Sequence, residues 1–522
     1  MQTNPCTRSD PQTLADWFRR RAEKAACQTA LTFEGDTWSY ARMQNNIDCL
    51  AAVLQKQGIK HGDRVAYLGF NRPECLFTLF ACATLGAIFV PLNFRLSAPE
   101  LAFLAQDAEI SVLLVGEEHA ALAEAFVYEL AGCHIIAVGV GASPRWPSLG
   151  ALLGQEAATA RVVPSSPVRR EDVTAIFYTS GTTGRPKGAM LTHANLWANN
   201  LNWILAFSIG GHDTVLTGAP MFHVSGLFVL LTAVLMVGGH VVLHRSFDAE
   251  ETLRALQTHG VTLTFSVPTM MLFMSQATCF DQVDLSRLRL LVAGGAPTPE
   301  SLLRRYAERG IPVSHCYGMS ECTSASTYLE TGLAMGKLNS AGRPMALADI
   351  KLTDLDGRDI RQAHVKGEIC IRGDNVTPGY WRNPQATAAV LSPDGWLRSG
   401  DMGYFDEEGF LFVCDRVKDM IISGGENIYP AEIESVFLEY PGVRNVAVIG
   451  APDPQWGERV VAVVVTQPGV SLTLAELLQF CEGRLARYKQ PKELRVLDQL
   501  PLNGSGKVVK HQLRQMLATT GD

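Results

Sequence analysis

A segment rich in glycine and hydroxyl side chains, with one lysine, is the first candidate for chemistry. It runs from Tyr178 to Gly188 and reads YTSGTTGRPKG. Glycines let the backbone approach a bound group closely, and the hydroxyls and Lys187 can donate to an anion. An apolar run precedes the segment and a helix is predicted to begin near Thr192. We therefore expect an anion-binding loop between a strand and a helix. It is not a Walker A loop, because GxxxxGK[ST] is absent.

Seven further motifs follow this loop along the chain. They are PMFHVSG at 220–226, AGGAP at 293–297, CYGMSE at 316–321, SGD at 399–401, DRVKD at 415–419, SGGENIYP at 423–430 and LPLNGSGK at 500–507. Their order and spacing resemble those of the adenylate-forming superfamily of acyl-CoA synthetases, luciferases and nonribosomal adenylation domains. Within it, the chain most resembles bacterial fatty-acid–CoA ligases. The resemblance covers about residues 12–518.

The resemblance implies an ATP site. It assigns to ATP the residues Thr179, Ser180, Gly181, Thr182, Thr183, Gly184, Gly295, Ala296, Pro297, Tyr317, Gly318, Ser320, Asp401 and Arg416. Tyr317 can present an aromatic face to adenine, and Ser320 keeps a hydroxyl where the family usually has Thr. Glu321 corresponds to a magnesium-associated glutamate, and Mg²⁺ commonly takes one or two carboxylates beside phosphate oxygens.

The same resemblance implies an acyl pocket, a coenzyme A channel and a mobile lysine. The acyl pocket comprises His223, Val224, Gly226 and Gly294, with His223 beside the substrate carboxyl. The coenzyme A channel includes Ser423, Gly424 and Gly425. Lys507, which glycines flank, matches the catalytic lysine of the family. The catalytic set is therefore Lys507, His223 and Lys187.

These residues together predict an AMP-forming acid–CoA ligase. The substrate carboxylate attacks the α-phosphate of ATP, and acyl-AMP and pyrophosphate form. Mg²⁺, Lys187, Lys507 and the loop hydroxyls counter the charge on the phosphate oxygens. The thiol of coenzyme A then attacks the activated acyl carbon, and AMP leaves. ATP and coenzyme A are thus co-substrates, and Mg²⁺ is the expected cofactor.

The acid is expected to be hydrophobic. Amino-acid-activating members of the superfamily carry Asp where this chain has His223, which argues against an amino acid. The presumed acyl-site segments, residues 223–231, 267–273 and 293–297, contain no Asp, Glu, Lys or Arg. A medium- or long-chain fatty acid is the leading expectation, and an aryl or cinnamate-type acid is second. The motifs are also compatible with a carrier-protein-loading adenylating enzyme, a luciferase-like oxygenase or a nucleotide-binding module without catalysis.

Composition narrows the class of protein. The chain has 522 residues, of which 47% are hydrophobic and 19% charged, as is typical of a globular protein. A net charge of −7 without a basic stripe gives no support for a nucleic-acid partner. The twelve cysteines form no CxxC pair, which favours reduced thiols in the cytoplasm.

The most apolar stretch, 227–237, is too short to cross a membrane and predicts a buried helix. Peripheral membrane contact and a homodimer remain open.

The elements that would position these motifs alternate between strands and helices. Strands are predicted over 64–70, 87–91, 111–115 and 134–138, and helices over 74–87 and from Ser97, where Glu100 completes a capping box. This alternation predicts an α/β protein with layered subdomains and largely parallel sheets. From Gly367 onward, alternating polarity predicts a small β-barrel-like part. Strands over 443–449 and 460–466 and helices over 431–439 and 474–487 predict a small, mobile α+β domain.

The resulting domain prediction has three parts. Residues 1–416 form the domain for ATP and the acyl substrate, residues 417–419 form a hinge, and residues 420–522 form the mobile domain that carries Lys507. The resemblance places the hinge at Lys418.

Overall fold

The computed structural model describes most of the chain. The described residues are 13–139, 145–156, 162, 164–179, 186–354, 356–416, 419–423, 426–482, 484–502 and 508–519. The chain divides into two compact units. The first unit comprises residues 1–350 and 371–397, and the second comprises residues 351–370 and 398–522. The domain boundary at 417–419 remains a prediction.

Helices of the first unit pack on its two sheets. They are α1 (Leu14–Lys24), α2 (Tyr40–Lys56), α3 (Pro73–Leu85), α4 (Ala98–Asp107), α5 (Ala120–Glu124), α6 (Leu149–Gly154), α7 (His193–Phe207), α8 (Val224–Phe228), α9 (Leu231–Val237), α10 (Ala249–Thr258), α11 (Pro268–Gln276), α12 (Glu300–Glu308) and α13 (Pro384–Val390). Within the described part of the chain, no helix has the length and apolar character that a membrane crossing requires.

The strands of the first unit form a six-stranded sheet and a larger mixed sheet. They are β1 (Thr29–Phe33), β2 (Asp36–Ser39), β3 (Arg64–Leu68), β4 (Ile88–Leu92), β5 (Ile110–Gly116), β6 (His134–Val138), β7 (Val173–Thr179), β8 (Lys187–Thr192), β9 (Thr214–Thr217), β10 (His240–Leu243), β11 (Leu263–Ser266), β12 (Leu290–Ala293), β13 (Val313–Tyr317), β14 (Thr327–Tyr328) and β15 (Ser340–Pro344). The six-stranded sheet has the order β6-β5-β3-β4-β7-β8. In the larger sheet the first unit contributes the order β15-β14-β13-β12-β11-β9-β10-β1-β2. Strands β13, β12, β11, β9, β10 and β1 pair in parallel.

The predicted α/β alternation is confirmed in this unit. Ser97 and Glu100 form the expected capping box at α4, and Gly86 ends α3 in the left-handed region with φ +72°. The helix predicted over 227–237 is instead interrupted between α8 and α9, where Leu230 has φ +74°. The Nδ2 group of Asn199 donates to the Phe228 carbonyl over 2.8 Å at this break. The Asn199 side chain thus replaces the helical hydrogen bond that the Phe228 carbonyl lacks at the break. A buried carbonyl needs such a partner.

Aromatic packing connects the core directly to the candidate motifs. Phe177 on β7 and Phe228 on α8 are buried, and their ring centroids lie 5.5 Å apart. Trp203 on α7 is also fully buried, and its Nε1 group donates to the Ser324 hydroxyl over 3.1 Å. Burying such a side chain typically contributes about 1.5–3 kcal/mol. The core therefore holds the segment just after Glu321 in place.

The second unit contains two sheets and three helices among its described residues. The elements are β16 (Ala348–Thr353), β17 (Asp359–Ile360), β18 (Gly367–Gly373), β19 (Leu397–Phe405), β20 (Leu411–Arg416), β21 (Ile421–Ser423), β22 (Glu426–Ile428), α14 (Pro430–Leu438), β23 (Val443–Asp453), β24 (Gly457–Thr466), α15 (Leu474–Cys481), β25 (Glu493–Val496) and α16 (Lys510–Thr519). β16, β18 and β19 each include residues of the first unit. The strand orders are β17-β16-β18-β19-β20 and β22-β21-β24-β23, with β25 parallel to β24.

One predicted helix of this unit is too long. The helix predicted over 474–487 ends at Cys481, because Glu482 turns to ψ +126°. Leu485 then packs in the same core as Leu477 on α15. The apolar residues after Cys481 suggested a longer helix. Leu485 is apolar because it is buried in this core, and not because the helix continues.

Candidate active site

The predicted anion-binding loop belongs to a β-hairpin. β7 and β8 pair antiparallel, with Thr179 directly opposite Lys187. α7 begins only at His193, where Thr192 is the N-cap. The expected strand–loop–helix arrangement is therefore wrong, since a strand separates the loop from the helix.

The composition of β8 explains this difference. Ala189 and Leu191 are fully buried, so the chain adds an edge strand to the sheet before it becomes helical. Five of the loop residues assigned to ATP lie outside the described part of the chain: Ser180, Gly181, Thr182, Thr183 and Gly184. Their assignment to ATP therefore remains a prediction.

Glu321 lies at the centre of the described site. It sits in the short 3₁₀ turn Ser320–Cys322 and is 4% exposed. Its Oε1 accepts a 2.8 Å hydrogen bond from the Tyr380 hydroxyl and a 3.4 Å bond from Thr179 Oγ1. Lys187 Nζ lies 5.4 Å from the centroid of the Tyr380 ring. The structure thus brings together Thr179, Lys187 and Glu321, which come from two separate sequence motifs.

Tyr380 was not predicted from the sequence, although it contacts two predicted residues. It follows a Thr-Pro-Gly turn, in which Gly379 has φ +141°, and it forms a bridge with Ala189 on β8. Burial, and secondarily the Glu321 carboxylate, raise the pKa of the Tyr380 hydroxyl above its ordinary value. The hydroxyl therefore stays protonated and donates to Glu321. A Pro-Gly turn followed by two aromatic residues was the signal available in the sequence.

The backbone around Glu321 is fixed from two sides. The Thr377 N–H donates to the Glu321 carbonyl over 2.7 Å, and the Thr377 hydroxyl donates to the Met190 carbonyl over 2.6 Å. Asn375, which is fully buried, donates from Nδ2 to the Cys322 carbonyl over 3.0 Å. Residues 375–380 thus form a support for the Glu321 turn that no motif indicated.

Gly318 allows the CYGMSE segment to pack against its own continuation. A Cβ at this position would lie 2.1 Å from the Ser324 carbonyl oxygen and 2.5 Å from Ala325 Cα. Both neighbours are backbone atoms, so they cannot rotate away. Only glycine fits here, and its close approach directs the chain from Tyr317, which is half-buried, into the Glu321 turn.

The AGGAP segment and Tyr317 lie at corresponding strand ends. β12 and β13 are parallel with Ala293 opposite His315, so both segments leave the sheet at its carboxyl edge. In open α/β sheets ligands usually bind at this edge. Gly294 is packed against Cys316, whose Sγ would lie 2.6 Å from an added Cβ. Gly295, Ala296 and Pro297 are exposed and therefore accessible to a ligand.

His223 caps a short helix beside aromatic side chains. It is the N-cap residue of α8, and its ring centroid lies 4.6 Å from that of Phe222. Its N–H donates to the Pro220 carbonyl over 3.1 Å. Gly226 has no room for a Cβ, which would lie 2.3 Å from the Pro220 oxygen. Val224 is buried at 8% exposure. The segment is thus a compact, backbone-bonded turn.

In the second unit, Asp401 and Arg416 are direct cross-strand partners. They lie opposite each other on β19 and β20, which are antiparallel. The Asp401 N–H donates to Ser399 Oγ over 3.0 Å, and the preceding Gly400 has φ +73°. The backbone of Arg416 is described, but its side chain is not. Register alone therefore places these two predicted residues side by side.

Four predicted residues of the second unit, Lys418, Gly424, Gly425 and Lys507, lie outside the described part of the chain. Ser423 is described and pairs with Glu426 in the hairpin of β21 and β22. On either side of Lys507, Leu502 and Val508 form an antiparallel bridge. The predicted roles of these residues are not tested.

The donor set around Glu321 is compatible with a magnesium ion that arrives with a nucleotide. Among the described side chains, no three His, Cys, Asp or Glu residues are grouped as a metal site. Mg²⁺ does not need such a group, because it commonly takes one or two carboxylates and completes its shell with phosphate oxygens and water. Glu321, whose two described hydrogen bonds both end on Oε1, fits that requirement.

Two family matches cover most of the chain. Residues 18–381 match the AMP-binding enzyme family, and residues 432–507 match the AMP-binding enzyme C-terminal domain. Among solved structures, the chain is similar to o-succinylbenzoate coenzyme A synthetase (MenE) from Bacillus subtilis in complex with ATP and magnesium ion. The TM-score is 0.86 at 35% identity, over 95% of this chain and 98% of that one.

Curated relatives extend over nearly the whole chain. A feruloyl-CoA synthase of Amycolatopsis is 43% identical over 97% of this chain and 99% of its own length. An indoleacetate–CoA ligase of Aromatoleum aromaticum is also 43% identical, over 97% of this chain and 98% of its own. The long-chain-fatty-acid–CoA ligase FadD13 of Mycobacterium tuberculosis is 36% identical over 92% of this chain and 93% of its own. The chain therefore belongs to the AMP-binding enzyme family and is an AMP-forming acid–CoA ligase.

Proposed function

We propose that this ligase activates an aryl or arylalkenyl carboxylic acid and transfers it to coenzyme A. The observation that carries this proposal is the ranking of the relatives. Two relatives at 43% identity are named for acids that contain an aromatic ring, whereas the fatty-acid ligase is 36% identical. The fatty acid that composition and family resemblance favoured therefore becomes the second candidate, supported by the FadD13 similarity.

In the proposed adenylation step, a carboxylate oxygen of the acid bonds to the α-phosphorus of ATP. The bond between that phosphorus and the bridging oxygen breaks, and pyrophosphate leaves with the electron pair. Lys187 supplies positive charge near the phosphates, and Thr179 supplies a hydroxyl, and the two residues pair where the predicted anion-binding loop joins β7 to β8. A preorganised donor of this kind is typically worth about 2.7–4 kcal/mol in the transition state. Lys507 would add a second positive charge from the second unit.

Mg²⁺ bound with the nucleotide would neutralise charge on the phosphate oxygens, and Glu321 is the residue proposed to hold it. The role of the protein is then to keep that carboxylate oriented. The hydrogen bonds that Tyr380 and Thr179 donate to Oε1 support this role.

In the proposed second step, the sulfur of coenzyme A attacks the acyl carbon of acyl-AMP. The bond from that carbon to the phosphate-linked oxygen breaks, AMP leaves, and the thiol proton passes to solvent or a base. Ser423, Gly424 and Gly425 are proposed to line the thiol channel. Rotation about Lys418 would exchange this loop for Lys507 between the two steps, since both belong to the chain after the hinge.

A substrate screen tests the proposal. Pyrophosphate release would be measured with ferulate, indoleacetate, benzoate and fatty acids from C2 to C18, each with and without coenzyme A. We expect the highest kcat/KM with an aromatic acid. A higher kcat/KM for a C8–C18 fatty acid would restore the second candidate. Replacing coenzyme A by a pantetheinylated carrier protein tests whether the enzyme loads a carrier, for which transfer to the carrier would have to be faster.

A further inference from the structure

Asn71 is a buried amide whose hydrogen bonds join the two sheets of the first unit. It follows β3, a strand of the six-stranded sheet, and is 4% exposed. Its Oδ1 accepts from the Met221 N–H over 2.8 Å. Its Nδ2 donates to the carbonyls of Ala219 and His244 over 3.0 and 3.1 Å. These three backbone partners fix which end of the amide is oxygen, because two of them can only accept.

The partners of Asn71 all lie just beyond the ends of strands of the larger sheet. Ala219 and Met221 follow β9, and His244 follows β10, which is the parallel neighbour of β9. The Asn71 N–H adds a fourth bond, to the Arg245 carbonyl over 3.1 Å. Asn71, which follows a strand of the six-stranded sheet, thus hydrogen-bonds to the segments that follow two adjacent strands of the larger sheet.

The segment that Asn71 binds after β9, residues 219–221, leads directly to His223. Met221 lies two residues before it, and the His223 N–H is bonded back to the Pro220 carbonyl, between the two Asn71 contacts. Phe222 is buried, and its ring packs edge-on against Phe94 with centroids 5.1 Å apart. Because this turn is held at its start by Asn71 and inside by its own backbone bonds, its position depends on the Asn71 amide.

We propose that Asn71 is a positioning residue for His223 and thereby sets the affinity of the enzyme for the carboxylic acid. The inference rests on the proposed function and on the position beside the substrate carboxyl that the family resemblance implies for His223. Removing the amide leaves the Met221 N–H and two carbonyls without their partners in a buried place. Buried polar groups without partners are unfavourable, so the turn would relax to satisfy these groups and move His223.

Steady-state kinetics distinguish positioning from general stability. In Asn71→Ala we expect the KM for the acid to rise about tenfold or more, with the KM for ATP changed by less than about twofold. Irreversible loss of folded enzyme would lower the apparent kcat and leave both KM values unchanged, whereas reversible unfolding would raise the apparent KM for the acid and for ATP together. Asn71→Ser retains one hydrogen-bonding group and should give an intermediate KM for the acid if Asn71→Ala is too unstable to assay.

A matched control is available on α7. Asn202 is fully buried, and its Oδ1 accepts from the Leu347 N–H over 2.8 Å. Asn202→Ala also removes a buried amide that binds backbone, but the described hydrogen bond of that amide goes to Leu347 and not to residues 219–223. It should lower stability without raising the KM for the acid. An equal rise in this control would overturn the inference.

A double variant tests whether Asn71 acts through His223. We expect His223→Ala alone to raise the KM for the acid. Adding Asn71→Ala to this variant should increase that KM by a further factor of less than about two, because the effects of coupled residues are not additive. The inference would be overturned if the two substitutions raised the KM for the acid by the product of their single effects. It would also be overturned if Asn71→Ala left this KM unchanged, or raised it while His223→Ala did not. Failure of the proposed function is distinguishable, because the unmodified enzyme would then prefer a fatty acid in the substrate screen, whereas the KM effect of Asn71→Ala is measured with whichever acid the enzyme prefers.

Discussion

The Tyr380 hydroxyl donates a 2.8 Å hydrogen bond to Oε1 of Glu321, and the face of the same ring lies 5.4 Å from Lys187 Nζ. One buried aromatic residue therefore contacts both the carboxylate proposed to bind magnesium and the lysine proposed to face the phosphates. The two opposite charges are oriented by a residue that carries no charge itself, since its hydroxyl pKa is raised by burial.

Tyr380→Phe should slow acyl-AMP formation about tenfold and increase the Mg²⁺ concentration needed for half-maximal rate. The reason is that Glu321 loses its shorter hydrogen bond, and hydrogen bonds to charged groups contribute about 1.5–3 kcal/mol. Pyrophosphate release over a Mg²⁺ titration measures both effects. Tyr178→Phe is the control, because its hydroxyl donates to Asp107 Oδ2 over 2.6 Å instead. A changed Mg²⁺ titration in Tyr178→Phe alone would contradict the role of Tyr380.

Glu321→Gln should weaken the Mg²⁺ dependence and slow adenylation more than Tyr380→Phe does. Gln retains the size and can still accept from Tyr380, but it removes the negative charge. Thermal unfolding of the variant should stay close to that of the unmodified enzyme, since the local hydrogen bonds persist. If the rate and the Mg²⁺ titration are both unchanged, Glu321 does not belong to the metal site.

Gly318→Ala should destabilise the protein by about 1–3 kcal/mol, because the added Cβ overlaps the Ser324 carbonyl. Relief of the overlap would displace the turn that carries Glu321, so the KM for ATP should rise as well. Urea denaturation and ATP titration measure the two effects. Gly154→Ala is the control, since a Cβ there meets no atom within 4 Å. Equal stability of the two variants would show that the Gly318 contact is not tight.

Stability should fall as the pH decreases from about 6.5 to about 4 because of His193. Burial lowers the pKa of this side chain to about 4, against opposing attraction from Asp172 and Asp16, and its Nδ1 accepts from the Leu14 N–H over 3.1 Å. The unfolded state therefore binds more protons in this range, and the folded state loses about 3 kcal/mol relative to it. His193→Asn keeps an acceptor but does not titrate. Urea midpoints from pH 7 to pH 4 should decline less steeply in this variant; parallel curves would exclude His193.

Sequence reasoning succeeded where a residue type alone limits the chemistry. Thr179 and Lys187 come from one motif and Glu321 from another, yet each is the charged or hydroxyl group that a nucleotide site needs, and the structure brings them together. Capping by Ser97 and Glu100 was equally predictable, because the signal is local to four residues.

Sequence reasoning failed where tertiary contacts decide. Tyr380 is adjacent to Glu321 only because residues 375–380 fold back against β8, and no local pattern encodes that contact. The break at Leu230 depends on Asn199, which lies 29 residues before the Phe228 carbonyl that it binds. The length of α15 depends on where Leu485 packs. In each case a distant partner determines the local backbone.

Isotope transfer tests the central claim, that the carboxylate is activated as acyl-AMP. The enzyme would be given ATP, Mg²⁺, coenzyme A and ferulate, or the best acid of the substrate screen, with both carboxylate oxygens labelled as ¹⁸O. One labelled oxygen should appear in AMP, because that oxygen bonds to the α-phosphorus and leaves with it when the thioester forms. Mass spectrometry of AMP and of the other phosphate products gives the result. Unlabelled AMP, or ¹⁸O in phosphate together with ADP, would contradict the account.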